Sequence, residues 1–398
     1  MISIEKLNMS GLEGKIMYRE KEKKLLNFLI TFMLICTSGV VQFTFIWNSQ
    51  SIIFLFLFSV CLFVFGGNWK IPRKKMIKMP LLSCVIMINL MVYSGNIDGH
   101  ISLFLVVVSG CILSQFIEWK LFARYYVDIM AVICIISLGC FAFFVTNPMK
   151  VINTIPLVKY WSVESRYALI YNFPGNQYLM RNFGPYHEGG MFAIFVSLAM
   201  LLLFEQDEMS KRRKIYVIIY VATVVTTFST TGILLLLIIL IGKIGTKVLK
   251  FNVNMKAILI AAIGIGFIVW EESTYGIIAN KFAAGNASFV ARNLEWKILF
   301  DQIWNRPFFG VGYQNNQLIK QYGLADGTNG IVSVFLQFGL AGGLGILGCY
   351  LDGLASFSNE WKNKILYFVL AFLSFVSEPT IFQPLFLCFL FGKATQHE

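Results

Sequence analysis

Charge is what this chain has least of. Its 398 residues are 57% hydrophobic and only 14% charged, where soluble domains carry roughly 25% charged residues. No Asp, Glu, Lys or Arg stands near the middle of any long apolar run. Ion-coupled transporters usually place such groups at the bilayer midplane, so this absence speaks against a transporter or a lipid-linked-sugar flippase. The chain also lacks a C-x-x-C pair, an H-E-x-x-H motif and any internal repeat. Its eight cysteines all lie in apolar runs and none in the two long polar stretches. They read as small buried apolar residues, not as disulfides or metal ligands. No metal and no cofactor is therefore expected.

What the chain does have is one apolar run after another. A bilayer core takes about 20 apolar helical residues, fewer where a helix is short or broken. The pattern predicts an all-α polytopic membrane protein, a single integral membrane domain over 1–398 with about 12 transmembrane helices. The expected spans are 25–44, 50–67, 78–95, 101–117, 127–146, 189–205, 215–229, 232–245, 257–271, 330–351, 364–378 and 379–392. The first follows the charged Lys21–Lys24 stretch and reads as a retained signal anchor. At the last pair, Glu378-Pro379 fits either a tight hairpin or a break within one span.

The net charge of +12 invites a nucleic-acid partner, but the basic residues sit in short blocks between apolar runs, as topology signals do. No nucleic-acid partner is expected. Blocks at Lys15–Lys24, Lys70–Lys78, Lys120/Arg124, Lys211–Lys214, Lys243–Lys256 and Lys362/Lys364 define one side, assigned to the cytoplasm. Both termini then lie there. Two long loops, 147–188 and 272–329, fall on the opposite, extracytoplasmic side. This sidedness holds only if the uncharged run 215–242 is a hairpin turning at Ser229–Thr231. Read as one span, it would put the two basic blocks that flank it on opposite faces.

The loops carry the chemistry. Arg181-Asn-Phe-Gly-Pro-Tyr-His-Glu-Gly-Gly190 holds an arginine, a histidine and a carboxylate within eight residues and runs straight into the apolar segment from Met191. Ionisable groups at the mouth of a membrane helix suggest function. The second loop is expected to be helical from Phe289 to Trp304, with Val290, Leu294, Ile298 and Ile303 on an apolar face suited to the membrane surface and Trp296, Phe300 and Trp304 nearby. Pro307 and the Gly310/Gly312 pair stop that helix. Arginine presents a planar fork of donors that matches phosphate oxygens and keeps its charge. A carboxylate or imidazole beside it can take a proton from an attacking hydroxyl. Glu188 suits a second role as well, at the N-terminus of the helix beginning near Gly189. The tryptophans also suit an interfacial belt. Residue chemistry alone reaches a membrane protein with an extracytoplasmic site for an anionic ligand.

The order of three segments carries a resemblance. The segment Arg181 to Ala193, the turn Phe228-Ser-Thr-Thr-Gly-Ile-Leu234, and Arg292…Trp296…Pro307-Phe-Phe-Gly-Val-Gly312 followed by Gly327-Thr-Asn329 and Phe338-Gly-Leu-Ala-Gly-Gly343 together resemble the O-antigen polymerase and O-antigen ligase superfamily. The likeness runs through roughly residues 180–345. It implies a metal-independent glycosyltransferase of the bacterial inner membrane, acting in O-antigen or capsule synthesis on oligosaccharide repeat units carried by undecaprenyl pyrophosphate. It implies pyrophosphate contacts from Arg181 and Arg292, an acid–base role for Glu188, and a place for Asn329 in the family's His-Asn pair. A separate chain-length regulator protein is a family partner. His187 is a second catalytic candidate, and Arg166 and Tyr186 are further candidates for substrate binding. Two departures bear on the assignment. Ligases carry histidine where Thr328 stands, which favours a polymerase over a ligase transferring glycan to lipid A core or to protein. The turn at Ser229 also lacks the arginine often found there, a cation that Arg166 would replace.

Overall fold

The computed structural model describes residues 2–65, 73–93, 96–160, 163–168, 170–174, 181–206, 210–247, 287–315, 321, 329–357 and 360–392. Five long helices come first: α1 (Ile2–Thr37), α2 (Asn48–Phe65), α3 (Arg73–Val92), α4 (Ile97–Phe116) and α5 (Trp119–Thr146). Gly39, at φ +97°, and a π-helical turn at Gln42–Ile46 separate the first two. A short α6 (Pro148–Thr154) opens the first long loop. Next come α7 (Gly189–Glu205), α8 (Lys211–Thr226) and α9 (Thr230–Lys247). The described part ends with α10 (Ala287–Asn305), α11 (Gly330–Ala355), α12 (Trp361–Ser377) and α13 (Pro384–Phe391).

The protein is a helical membrane protein. Among the described residues α2, α4, α5 and α11 are long and apolar enough to cross a bilayer, and Ile77–Val92, Gly189–Glu205 and Thr230–Lys243 are shorter apolar helices. The expected run 257–271 lies outside the described residues. One feature departs from an all-α fold. The first loop contains an antiparallel sheet of β1 (Val158–Tyr160), β2 (Val163–Ala168) and β3 (Tyr171–Pro174), in the order β1-β2-β3. Aromatic and β-branched residues favour strands, and Tyr171 and Phe173 pack with Phe144 of α5 and Val151 of α6.

The core is built around α7. Every residue from Met191 to Phe204 is buried, as expected for a helix that is apolar on all sides. α5, α8, α9 and α12 pack against it. The Tyr126 hydroxyl of α5 donates to the Phe195 carbonyl at 3.2 Å. The position of α7 fixes the site, because its first turn emerges beneath the polar loop 181–188.

The uncharged run 215–242 bends at Thr227–Ser229, between α8 and α9. At one end of the bundle Arg212 pairs with Asp128, and Lys243 pairs with Glu205 at 3.4 Å. At the other, Asn182 N–H donates to the Thr226 carbonyl at 2.9 Å. The two basic segments therefore share an end, and the turn lies at the mouth of α7.

The chain also turns after α12. The Tyr367 hydroxyl bonds Glu205 near one end of that helix, while Glu378 closes the other. The returning arm, α13, has eight residues, all of them buried. At 1.5 Å per residue that is about 12 Å, too short to cross a bilayer as a helix alone. Such a segment is tolerated where protein surrounds it.

The amphipathic character of α10 has a different target from the one expected. Ile298 and Leu299, with Leu294 and Ile303 beside them, pack on Val332 and Leu336 of α11 rather than on a membrane surface. Val290, Trp296, Phe300 and Trp304 are exposed instead.

Candidate functional site

Backbone bonds pin the loop ahead of α7 from two sides. Asn172 N–H of β3 donates to the Gly184 carbonyl at 2.7 Å, and its side chain donates to the Tyr186 carbonyl at 3.0 Å. Val41 N–H donates to the Pro185 carbonyl at 2.9 Å. The loop is then clamped to the α8–α9 turn. Arg181 Nε donates to the Thr227 carbonyl at 3.1 Å and Nη2 to the Phe228 carbonyl at 2.9 Å. Asn182 Nδ2 donates to Thr226 Oγ1 at 3.0 Å. These carbonyls end a helix and lack intrahelical donors. Phe228 itself is left-handed, at φ +49°, a conformation uncommon for non-glycine residues. The arginine-bearing loop and the Ser/Thr-Gly turn thus form one unit.

Above that unit sits an ionisable cluster. His187, Glu188 and Glu378 each present a ligand atom, all within 4.8 Å of one another. Glu378 arrives from the end of α12 and is buried, while Glu188 is exposed. Gly190 is the floor of the cluster: a Cβ there would collide with the Glu378 carboxylate and stand 3.2 Å from Glu188 Oε1. Glu188 is the N-cap residue of α7, but its side chain makes no capping hydrogen bond. The Arg181 charge is felt by both carboxylates. Burial pulls the Arg181 guanidinium down from its ordinary value, and Glu188 and Glu378 push it back up. Burial likewise lowers His187 below the usual imidazole value, against the opposing pull of Glu188. His187 is then a neutral imidazole at neutral pH, able to accept a proton, and its Nδ1 is buried with no hydrogen-bond partner among the described residues. An imidazole and two carboxylates at this spacing have the donor set of a divalent-cation site, although the cation of Arg181 beside them opposes one.

The other expected site residues are placed as follows. Tyr186 is fully buried, stacked on Phe192 and Phe195 with ring centroids 5.5 and 4.7 Å apart. It packs the loop onto α7 and has no face open to a ligand. Arg166 lies on β2, opposite Phe173, and donates to the Ile155 carbonyl. Among its described contacts none is with the cluster. Asn329 is buried and caps α11, its Oδ1 accepting from Val332 N–H at 3.0 Å. Arg292 stands on α10, one turn before Glu295, and its side chain lies outside the described residues.

Two carboxylates were not anticipated as site residues. Glu295, 5% exposed, accepts from Asn329 N–H at 3.0 Å. Glu378, also 5% exposed, belongs to the cluster itself. The two are linked through the start of α11, where a Cβ on Gly330 would lie 2.9 Å from the Glu378 carbonyl. The only hint of Glu378 in the sequence is an acidic residue before Pro379 between apolar runs.

The motif Pro307–Gly312 has a structural task. It fills a break in α11 at Gly339, which stands at φ +69°. Val311 N–H donates to the Leu336 carbonyl at 2.8 Å, Gly312 N–H to the Gln337 carbonyl at 3.2 Å, and Leu340 N–H to the Pro307 carbonyl at 2.6 Å. Asn89 of α3 locks the insertion: its Nδ2 donates to the Gln337 and Phe309 carbonyls, and its Oδ1 accepts from Tyr313 N–H at 2.9 Å. His100 of α4 bonds the same Asn89 oxygen at 2.9 Å.

Fold and cluster together define a helical membrane protein with an ionisable site at the mouth of its central helix. Residues 215–350 match the family model described as O-antigen ligase, so that segment is similar to that family. The matched segment holds the α8–α9 turn, Arg292 and Asn329; the cluster of Arg181, His187, Glu188 and Glu378 flanks it on both sides. No curated protein matches the chain.

Proposed function

We propose that the protein is a polysaccharide polymerase of the bacterial inner membrane that joins undecaprenyl-pyrophosphate-linked repeat units on the extracytoplasmic face. The observation that carries this reading is the convergence of Arg181 with His187, Glu188 and Glu378, beside the Asn329–Gly330 junction that ends the second loop. A sugar pyrophosphate is already activated, so the site needs a cation and a base. Arg181 and Arg292 hold the pyrophosphate and stabilise the charge developing on it. Glu188, the more open carboxylate, takes the proton of the acceptor hydroxyl. Two of the Arg181 donors are committed to the turn, so its role is to place a fixed charge rather than to close a full bidentate fork.

A ligase is the second reading, favoured by the description of the matched family. Thr328, where ligases carry histidine, counts against it. The test compares Arg181→Ala and Arg292→Ala with wild type for glycan chain length, at matched expression and membrane insertion. Shortened chains in both support the reading. Unchanged chain length in either removes that arginine from the mechanism.

A further inference from the structure

Water does not explain the surface that α10 and the Pro307–Gly312 segment present. The helix is apolar on two faces. Its aliphatic face is covered by α11. On the other, Trp296, Phe300 and Trp304 recur every fourth residue and form one stripe. Phe308 and Phe309 extend that stripe past the end of the helix. All five rings are exposed, Trp304 at 84% and Phe308 at 66%. A contiguous patch of large exposed apolar side chains marks an interaction surface.

The backbone beneath the last two rings points to what covers them. Pro307 has no N–H to satisfy. Its carbonyl accepts from Leu340 N–H, the Phe309 carbonyl from Asn89 Nδ2 and the Gly310 carbonyl from the Tyr93 hydroxyl. The N–H groups of Gly310, Val311 and Gly312 donate to the Arg306, Leu336 and Gln337 carbonyls. A turn in water is hydrated and needs no side chains from another helix to complete it. Non-helical backbone at membrane depth is tolerated only where its polar groups are satisfied within the protein. This segment has open side chains over a closed backbone, the combination that hydrocarbon demands.

The patch is also continuous with surfaces that face lipid. α11 is long and apolar enough to cross the bilayer, and Leu340, Leu344 and Leu351 are exposed along it, starting beside the seated turn. On the other flank Ile88, Met91 and Val92 of α3 are exposed around Asn89. Gly339 follows Gly330, the first residue of α11, by nine positions, about 13 Å along the axis. The turn is therefore held well below the mouth of α11. The chain then meets the start of α4, where Asn96 Nδ2 donates to Gln314 Oε1 at 3.1 Å. Lys297, Asp301 and Arg306 are exposed beside the stripe. A charged face next to an aromatic one is the pattern of an interfacial helix, and long basic stems keep their charge among the headgroups.

We propose that α10 and Pro307–Gly312 form a lipid-embedded hairpin. α10 lies in the bilayer interface on the side of the cluster, aromatic stripe toward lipid, and Phe308 and Phe309 enter the hydrocarbon. The hairpin fixes Arg292 and Glu295 of α10 at the height of the lipid phosphates. That last step rests on the reading of a lipid-linked pyrophosphate substrate above; the embedding itself does not.

The test reads lipid contact without any sugar substrate. The full-length protein is placed in nanodiscs of phospholipid carrying a diazirine in its acyl chain, irradiated, and mapped for label by peptide mass spectrometry. Label at Trp304, Phe308 and Phe309 should match that at Leu344, while buried Leu299 stays unlabelled. Label at Leu344 with none at Phe308 and Phe309 would overturn the hairpin. Label there only from a diazirine in the headgroup would overturn it too. In cells, a photoreactive p-benzoylphenylalanine in place of Phe308 should capture phospholipid. Capture of a second copy of the chain, or of another protein, would assign the patch to that partner and overturn the lipid. Trp304→Gln with Phe308→Gln should lose the acyl-chain label and shorten the glycan ladder at equal protein level. Lost label with a full-length ladder would overturn the placing of Arg292. Failure of wild type to form a ladder at all is a separate result, which sinks the polymerase reading and leaves the labelling to decide the hairpin.

Discussion

The backbone N–H of Asn329 donates to the Glu295 carboxylate at 3.0 Å, joining α10 to the start of α11. Both residues are buried. Asn329 therefore acts first as a hinge pin between the second loop and the helix that follows, its side chain capping the helix and its backbone held by the loop. Substitution should show this. Glu295→Ala leaves a buried N–H without its charged acceptor, a loss of about 2 kcal/mol. Glu295→Gln, which keeps an accepting oxygen, should lose less. Thermal unfolding of the purified protein distinguishes the two, and equal stability of Glu295→Ala and wild type would refute the pin.

Arg181 is expected to tolerate no conservative replacement. Lysine keeps the charge but cannot bond the Thr227 and Phe228 carbonyls together in the same geometry. Arg181→Lys should reduce polymer formation by at least ~tenfold, the scale of losing one charge-assisted contact of 1.5–3 kcal/mol. The ladder made by cells at equal protein level is the readout.

His187 predicts an acid sensitivity. Burial favours its neutral form, so its folded value lies below 6.5, the value expected when unfolded. The sign follows: in the window below about 6.5 the unfolded chain binds a proton that the folded one does not, so stability is full above that pH and falls as pH falls through the window. His187→Gln removes this component. The drop in melting temperature between pH 7.5 and 5.5 should be smaller in the variant than in wild type, and an identical drop would assign the acid sensitivity elsewhere.

The glycines separate by what surrounds them. Gly310 stands at φ +69°, and a Cβ there would strike the Leu336 carbonyl. Gly310→Ala should cost several kcal/mol in strain and collision, of order 1–3 for the backbone alone. Gly345 lies on α11 itself, with nothing within 4 Å of an added Cβ, and Gly345→Ala should be neutral or slightly stabilising. Detergent-solubilised yield and melting temperature of the pair test the docking of the Pro307–Gly312 segment into the kink.

Much of this fold was legible because apolar length and charge placement are strong local signals. The bend between α8 and α9 follows from two basic blocks that must share a side, and the loop Arg181–Gly190 from charges that have no reason to border an apolar helix. The rest depended on tertiary pairing. Leu294 and Ile298 advertise an apolar face, but periodicity cannot say whether lipid or α11 covers it. Tyr186 is a substrate-binding candidate by its place beside His187, yet its ring is buried against Phe192 and Phe195. Pro307 and the Gly310/Gly312 pair read as the stop of one helix, nothing local marks Gly339 as a break in the next, and only the structure reveals the first segment seated in the second's gap. Glu378 was hidden because it lies 190 residues from Glu188 in the chain, and nothing local distinguishes it from a residue ending a span.

The central claim is polymerisation, and a glycan ladder from cells carrying a clean deletion tests it most directly, with complementation by wild type and by Arg292→Ala. The account predicts collapse to a single repeat unit on an otherwise normal acceptor, restored by wild type and not by the variant. A ligase would instead leave long chains stranded on the lipid carrier. An intact ladder in the deletion would contradict the account outright.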